Sequence, residues 1–194
     1  MPKRKSKIKY FYIDTSIALD YATGRNIDTI LVLEKIKEKK WKCVSSTFLS
    51  MEMADYKKNY LFVEKALAKK WELSKILREK DKKELKQVDF ENTIDWFEDF
   101  KNKFKKIQLY DFLQNDEEWQ FAQGISFNSN LTAPDVIHLS SAIIGSTKGY
   151  PKYFITGDKG FYMEAKRIIG ENKIRGLEIL TIAEVKKKFF KLRK

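Results

Sequence analysis

Short apolar runs at four places in the chain predict β-strands. Ile8–Ile13 is rich in β-branched and aromatic residues, which is typical of a strand covered on both faces. Lys42–Ser46 is a shorter run, and Tyr153–Thr156 and Leu177–Ile182 predict two further strands late in the chain. The first run is followed at once by Asp14, so a carboxylate directly succeeds a strand that is expected to be buried.

The segments between these strands have the spacing of amphipathic helices. Gly24 suits the left-handed position that ends a helix, so a short helix is expected between Asp14 and Gly24. Further helices are predicted from a cap at Asn26 or Asp28 to about Lys39, from a cap at Ser46 or Thr47 through Met51, Glu52 and Tyr56, over Thr132–Gly145, and over Phe161–Ile169. Strands that alternate with helices predict an α/β domain with a mainly parallel sheet.

The middle of the chain has a different pattern, and we interpret about residues 57–106 as a helical insertion into a single domain, residues 1–194. Asn59–Lys80 and Phe90–Ile107 predict two long amphipathic helices. Apolar residues in the second recur at spacings of three and four, namely Ile94, Phe97, Phe100, Phe104 and Ile107. Such a stripe is typical of a core face with solvated lysines opposite. Aromatic residues among lysines also occur where nucleic-acid bases stack.

The composition adds a strong charge bias to this picture. The chain has 194 residues, of which 43% are hydrophobic, enough for a real core, and its formal net charge is +12. A positive surplus of this size favours a polyanionic partner, either nucleic acid or an acidic membrane surface, over a charged surface that serves only solubility. The longest apolar stretches are far too short to span a membrane, so nucleic acid is the expected partner and a membrane is not.

Two features of the sequence indicate where the protein works. The N-terminal stretch PKRKSKIKY is basic but is not followed by an apolar signal segment, so secretion is not indicated. Cys43 is the one cysteine and cannot form an internal disulfide, which fits a reducing compartment. We interpret Cys43 as a small core residue of the second strand. The sequence therefore predicts a cytoplasmic protein.

Four carboxylates lie where the predicted elements meet, and each has a purely structural explanation. Asp14 would cap the helix that follows the first strand. Thr132 and Asp135 are three residues apart and match a capping box. Asp158 lies in the glycine-flanked turn sequence ITGDKGF, and Glu52 is an acid on a helix. Taken singly, none of the four requires a catalytic role.

Taken together, the same four carboxylates predict a metal site. The carboxyl ends of parallel strands lie at one edge of a sheet, where ligands bind, and Asp14 and Asp158 both follow predicted strands. Asp135 and Glu52 lie in the opening turns of helices that would pack on that sheet. Two like charges about 4 Å apart cost about 4 kcal/mol at an effective dielectric constant near 20, so such a cluster needs a compensating cation. Oxygen ligands without cysteine select Mg²⁺ or Mn²⁺, ions that assist phosphodiester cleavage.

The order of these motifs resembles the PIN-domain nucleases. The motifs are YIDTS at the first strand, a helix with Glu52, then APDVIHLSSAI and YFITGDKGF, and the resemblance spans about residues 8–56 and 108–182. It implies a three-layer α/β/α sandwich whose acidic cluster binds Mg²⁺ or Mn²⁺ and positions a water that attacks single-stranded RNA. The catalytic and metal-binding residues that it implies are Asp14, Glu52, Asp135 and Asp158. Ser16 and Thr156 match hydroxyl positions that support this cluster.

The resemblance also implies partners. Many small PIN proteins are endoribonuclease toxins that an antitoxin protein restrains, and many form homodimers, so both partners are expected here. The segment from about Lys57 to Lys106 is longer than such toxins usually carry. The alternative function is a catalytically weak RNA-binding or scaffold module on the same fold, and the presence of all four acids favours the nuclease. His138 shares a helix face with Asp135 and is either a packed residue or a phosphate contact or proton donor at the rim of the site.

Overall fold

The computed structural model describes residues 8–80, 86–103 and 107–190 of the chain. The strands are β1 (Tyr10–Ile13), β2 (Lys42–Ser46), β3 (Ile107–Tyr110), β4 (Tyr153–Thr156) and β5 (Glu178–Thr181). The helices are α1 (Thr15–Thr23), α2 (Ile27–Glu38), α3 (Phe48–Ala68), α4 (Leu73–Glu79), α5 (Gln87–Lys103), α6 (Asp116–Phe127), α7 (Ala133–Thr147), α8 (Lys159–Glu171) and α9 (Ile182–Val185), which continues into a π-helical turn, Lys186–Phe190. Within the described ranges, no helix is both long and apolar enough to cross a membrane.

The described strands form one parallel sheet in the order β3-β2-β1-β4-β5. β1 lies at its centre, where Phe11 is in register with Cys43 of β2 and with Tyr153 of β4. A central strand of a parallel sheet is covered on both faces, and Phe11, Tyr12 and Ile13 are accordingly all buried. The predicted α/β class with a parallel sheet is confirmed.

Helices cover both faces of this sheet. Because successive strand residues point to opposite faces, Tyr12 and Phe154 pack with α6, α7 and α8 on one side. On the other side, α1 and α9 contact β4 and α2 contacts α9. Phe11 lies on this second face, against Trp41 and Phe189. The layers are therefore helix, sheet and helix, which confirms the predicted sandwich.

The chain reverses its direction of travel across the sheet at β1. From β1 it proceeds to β2 and β3 on one side, and it then crosses to β4 and β5 on the other. In an open parallel sheet, ligands bind in the crevice outside the carboxyl ends of the two strands where such a reversal occurs. By this rule, a ligand crevice is expected at the carboxyl ends of β1 and β4. Asp14 follows β1 directly, and Asp158 follows β4 after one residue.

Over the described residues, the chain divides into two compact units, one from Met1–Leu49 with Lys106–Lys194 and the other from Ser50–Lys105. The first unit contains the sheet. In the second unit, the Lys65 ammonium of α3 binds both carboxylate oxygens of Asp89 on α5. This ion pair joins α3 to α5 within the second unit.

The helices of the middle segment differ from the prediction. One unbroken helix, α3, replaces the two helices that were expected to meet between Tyr56 and Asn59, since neither glycine nor proline interrupts the chain there. The chain leaves α3 through Lys70, whose φ of 55° lies in the left-handed region, and α4 begins at Leu73. The interpretation of about residues 57–106 as an insertion stays a prediction.

The apolar stripe of α5 is only partly a core face. Phe100 is 2% exposed, but Phe90 and Ile94 are 58% and 46% exposed and line an open groove of about 700 Å³ between α3 and α5. The buried face of α5 instead includes Asp89, because that carboxylate is bound to α3. The prediction of a continuous core stripe is therefore wrong at Ile94. Phe104, another member of the stripe, lies outside the described residues.

Three elements, β3, α6 and α9, are absent from the sequence prediction, and α9 begins at Ile182, where the last predicted strand ends. The predicted helix ends at Ile107, whereas Ile107 begins β3 and pairs with Cys43 of β2. The sequence does carry a start for α6, because Asn115 accepts a hydrogen bond from the Glu118 backbone N–H and three acidic residues occupy the first turn. α6 could therefore have been found from its cap, whereas β3 is recognisable only through its pairing with β2.

Candidate active site

Asp14 is a buried carboxylate at the carboxyl end of β1. It is 7% exposed, and its Oδ1 accepts hydrogen bonds from the Ser16 hydroxyl at 2.7 Å and from the Ile17 backbone N–H at 3.1 Å. The bond from Ile17 makes Asp14 the N-cap of α1, so the helix-cap interpretation is correct. Capping occupies Oδ1, and a carboxylate has a second oxygen with which it can bind a ligand.

Two hydroxyls connect Asp14 to the loop that follows β4. The Thr156 side chain hydrogen-bonds to the Asp14 carboxylate and accepts a hydrogen bond from the Asp158 backbone N–H at 3.0 Å. The Ser16 hydroxyl, which donates to Asp14, accepts a hydrogen bond from the Gly157 N–H at 2.9 Å. The loops approach so closely that a Cβ on Gly157 would lie 3.0 Å from Ser16 Oγ. The loops after β1 and β4 are therefore held together around one carboxylate.

The surroundings of Asp14 disfavour its charge. Burial raises the pKa of the Asp14 carboxyl, and this rise is opposed by hydrogen bonds from Thr156, Ser16 and the Ile17 N–H and by the nearby His138. Removal from water is thus the largest influence on this group, ahead of its hydrogen bonds. A cation at this position would offset that cost, since a buried charge is stabilised chiefly by a partner of opposite sign.

Asp158 and Asp135 also lie at helix N-termini. Asp158 Oδ1 accepts a hydrogen bond from the Phe161 N–H at 2.7 Å and is the N-cap of α8. Asp135 Oδ2 accepts hydrogen bonds from the Thr132 hydroxyl at 2.7 Å and from its backbone N–H at 3.3 Å, while Thr132 caps α7. The predicted capping box is therefore present. Like Asp14, both acids have a structural role at the start of a helix, and the hydrogen bonds named here use one oxygen of each.

His138 lies in a buried polar network that sequence reasoning missed. It is 2% exposed, so it is a packed residue, and whether it takes part in the site stays a prediction. Its Nδ1 lies 2.8 Å from the Tyr12 hydroxyl, which accepts a hydrogen bond from the Ser46 N–H at 3.0 Å. Its Nε2 lies 3.2 Å from Thr15 Oγ1, next to Asp14 in the chain. Its partners Tyr12 and Ser46 lie within β1 and β2, and Thr15 follows β1, so in the sequence they stand out only as polar groups in or next to apolar strands.

Both ring nitrogens of His138 have hydroxyl partners, the Tyr12 hydroxyl at Nδ1 and Thr15 Oγ1 at Nε2. Burial raises the pKa of the Tyr12 hydroxyl far above its usual range, and the hydrogen bond from the Ser46 N–H is among the contacts that oppose this rise. The network thereby joins the ends of β1 and β2 to α7 and to the first residue of α1, the two helices that carry Asp135 and Asp14 at their N-termini.

Few of the described carboxylates could bind a metal ion together. Among residues 8–80, 86–103 and 107–190, no three or more His, Cys, Asp and Glu side chains form a group that could hold a metal ion. Mg²⁺ is commonly held by one or two carboxylates together with water and substrate phosphates, and the oxygens of Asp14 and Asp158 fit that use. Glu52 lies on α3 in the second unit and is half-buried, and its part in the site stays a prediction.

Comparisons with known proteins add one similarity. No family model matches the chain, and neither does any curated protein. Among solved structures, the chain is similar to the crystal structure of VapBC2 from Rickettsia felis bound to a DNA fragment from their promoter. The identity is 13%, the match covers 89% of this chain and 98% of that chain, and the TM-score is 0.48. A similarity at this level carries no argument about function, which therefore rests on the residues described above.

Proposed function

We propose that the protein is a metal-dependent endoribonuclease of the PIN type that cleaves single-stranded RNA in the crevice outside β1 and β4. The observation that carries this proposal is the buried carboxylate of Asp14, which the hydroxyls of Ser16 and Thr156 hold at the topological switch point beside Asp158. A charged group kept almost out of water costs folding free energy, and functional sites are where such costs are commonly retained.

The chain's own residues would prepare the site for the reaction. Mg²⁺ or Mn²⁺, when bound, would neutralise charge that develops at the scissile phosphate. Asp14 and Asp158 would hold the ion, and we propose that Asp135 and Glu52 complete the acidic set. Ser16 and Thr156 orient the Asp14 carboxylate in advance, so that little reorganisation accompanies binding. The net charge of +12 would attract the RNA backbone.

Cleavage of labelled single-stranded RNA by the purified chain, in Mn²⁺ and in EDTA, tests this proposal. We expect cleavage only with metal and a loss of at least about 100-fold in Asp14→Asn, as for removal of other groups that stabilise transition-state charge. Asp116→Asn is the matched control, because it removes an exposed carboxylate from the first turn of α6 and should leave the rate unchanged. Cleavage that survives EDTA, or equal rates for the two variants, contradicts the proposal.

A loss of cleavage in Asp14→Asn must be distinguished from a loss of folding. Because burial raises the pKa of Asp14, the native state holds this proton to higher pH than the unfolded state does. The ionised carboxylate therefore lowers stability as the pH rises from the unfolded pKa, about 3.9, through the raised folded pKa. We expect metal-free Asp14→Asn to be at least as stable as the wild type at neutral pH, as measured by urea unfolding.

The second candidate function is RNA binding with little or no cleavage. The observation that favours it is that the described residues contain no group of three or more potential metal ligands. This alternative predicts that wild type and Asp14→Asn bind single-stranded RNA equally well and that neither cleaves it in Mn²⁺. Fluorescence anisotropy and the cleavage assay, run on the same two proteins, decide between the candidates.

The resemblance to PIN nucleases also supports a proposal about protein partners and cellular location. We propose an antitoxin protein that restrains the nuclease, a second copy of the chain as a homodimer partner, and a cytoplasmic location. Expression of the wild type should arrest growth, whereas expression of Asp14→Asn should not. Light scattering after size-exclusion chromatography measures the oligomeric state directly.

A further inference from the structure

The amino ends of the central strands form a basic surface at the sheet edge opposite Asp14. Three neighbouring strands begin at or directly after a lysine, namely β2 at Lys42, β1 after Lys9 and β4 after Lys152. Neighbouring parallel strands lie about 4.8 Å apart, so the topology brings these lysines to one rim. The Lys42 N–H donates to the Lys9 carbonyl at 2.9 Å, which holds the first two together.

Aromatic rings support the central lysine of this rim. Lys9 Nζ lies 5.2 Å from the ring centroid of Phe189, 5.5 Å from that of Trp41 and 5.8 Å from that of Tyr153. A ring face attracts an ammonium without neutralising its charge. The rings therefore hold Lys9 in position without pairing it with an opposite charge. We use the name amino-end surface for Lys9, Lys42 and Lys152 with the rings of Trp41, Tyr153 and Phe189.

Acidic side chains near the amino-end surface are paired with other lysines. Glu38 pairs with Lys35 at 2.7 Å, and Glu178 of β5 pairs with Lys188. In the part of the chain that the structure describes, none of the three lysines of the amino-end surface forms an ion pair. Their charge is thus available to an anion from outside the protein.

The surface has room for an extended ligand on both sides of Lys9. A depression of about 630 Å³ is lined by Lys9, Lys39 and Trp41 among others, and one of about 280 Å³ is lined by Lys9, Lys152 and Tyr153 among others. Lys9 lines both depressions, with Lys39 and Glu38 in the larger one and Lys152 in the smaller one, and Lys42 lies beside them over the Tyr10 ring. Lysines that line open depressions are complementary to a polymer of phosphates. Trp41 is only 8% exposed, so this ring holds Lys9 in place and is not available for base stacking or for insertion into lipid.

We propose that the amino-end surface binds the phosphodiester backbone of a single-stranded nucleic acid, at a site separate from the carboxylate crevice. β1 has four residues, and at about 3.3 Å per residue it separates the two edges of the sheet by roughly 13 Å. A nucleic acid held at this surface must therefore continue around the domain to reach Asp14. Long strands gain affinity from the amino-end surface, whereas short oligonucleotides bound in the crevice do not.

Two triple variants with the same change of charge test the surface. The test variant is Lys9→Gln with Lys42→Gln and Lys152→Gln, and the control is Lys57→Gln with Lys69→Gln and Lys75→Gln. The control lysines lie in the second unit, and each also places its ammonium over an aromatic ring, that of Tyr60, Trp71 or Trp96. Both variants therefore lose three positive charges and ring contacts, but only the test variant alters the amino-end surface.

Fluorescence anisotropy measures the affinity for an oligouridine of about 30 nucleotides. This length exceeds the roughly 4–16 nucleotides that one binding module covers. The buffer contains EDTA, so the result does not depend on cleavage and stands even if the proposed nuclease activity fails. For single strands, the slope of log affinity against log salt changes by about 0.7 per phosphate contact. We expect the magnitude of this slope to be smaller by about 2 in the test variant. We also expect its affinity at about 0.1 M salt to be roughly 10- to 100-fold lower.

Several outcomes would overturn the proposal. Equal losses in the two triple variants would show that net charge alone matters. Single-stranded DNA of the same length should lose affinity in parallel, and a loss confined to RNA would exclude the backbone as the ligand. A loss of binding to phosphatidylserine vesicles with unchanged RNA binding would assign the surface to membranes instead. If the triple variant does not fold, Lys152→Glu, at an exposed residue, should weaken binding more than the control Lys69→Glu does.

Discussion

Asp14 depends on neighbours that are distant in sequence. The Gly157 N–H reaches the Ser16 hydroxyl across 141 positions of the chain, and the Ser16 hydroxyl in turn donates to Asp14. Thr156 makes the equivalent connection from its own side of the crevice. The backbone of one loop thereby orients the carboxylate of another. Preorganisation of this kind is what a site that stabilises charge requires.

The Tyr12 hydroxyl is the sharpest single-atom test of the buried network. Tyr12→Phe leaves the Ser46 N–H and His138 Nδ1 without this partner inside the protein. We expect urea unfolding to show a loss of about 1–3 kcal/mol, the usual cost of an unsatisfied buried polar group. Since the network joins α7 to α1, the rate of RNA cleavage should also fall while the affinity for RNA is kept.

Tyr162→Phe is the matched control for this substitution. The Tyr162 hydroxyl donates to Glu184 at 2.7 Å in a part-buried site, where water can replace the lost partner. We expect a loss below about 1 kcal/mol. Equal stability of the two variants would mean that the network around His138 does not contribute to folding.

At the scale of elements, the buried face of α5 contains one member of an ion pair. The apolar residues of α5 alone favour a core face through Ile94, but the observed face includes Asp89, which Lys65 of α3 binds. The Lys65 hydrogen bond, followed by one from the Lys86 backbone N–H, holds the pKa of Asp89 below its usual range. α3 and α5 are therefore joined in a pH-dependent way.

Asp89→Asn should alter how stability depends on pH. A carboxyl whose folded pKa is depressed contributes stability above its unfolded pKa, about 3.9, and this contribution is lost as the pH falls through the lower folded pKa. We therefore expect the variant to be less stable than the wild type near neutral pH, with a difference that vanishes in strong acid. Urea unfolding at a series of pH values measures it. Asp95→Asn, which removes an exposed carboxylate from the same helix, is the matched control for the loss of one negative charge.

At the scale of the whole molecule, the net charge of +12 contrasts with a crevice that bears carboxylates. A cationic exterior attracts a polyanion over long range, and in the proposed function a bound cation would offset the charge of the carboxylates before a phosphate approaches them. The two edges of the sheet differ in charge, with lysines at the amino ends of the strands and carboxylates at the carboxyl ends.

The charge of the whole molecule predicts a steep dependence of RNA binding on salt. The affinity of the wild type for single-stranded RNA should fall by orders of magnitude between about 50 and 200 mM salt if several phosphates are contacted, since each contact releases counterions. Titrations at four or five salt concentrations measure the slope. A flat response would exclude the backbone as the main ligand of this protein.

Elements were predictable where local chemistry decides them. Gly24 ends α1 in the left-handed conformation at φ 71°, as the sequence indicates, and α2 is capped by Asn26, one of the two caps that the sequence offers. β2 has its predicted bounds, Lys42–Ser46. β3 was not predictable in this way, because a half-buried strand of four residues at the sheet edge is selected by its pairing with β2.

The sequence by itself determined the α/β class, the helix caps and the acids that follow β1 and β4, since these depend on periodicity and on side chains a few residues apart. Only the tertiary structure decided that Ser16 and Thr156 both reach Asp14, that Tyr12 partners His138, and that Lys9 meets Phe189. These contacts join residues from distant parts of the chain. Strand order and packing bring such residues together, and local conformational preferences carry no information about strand order.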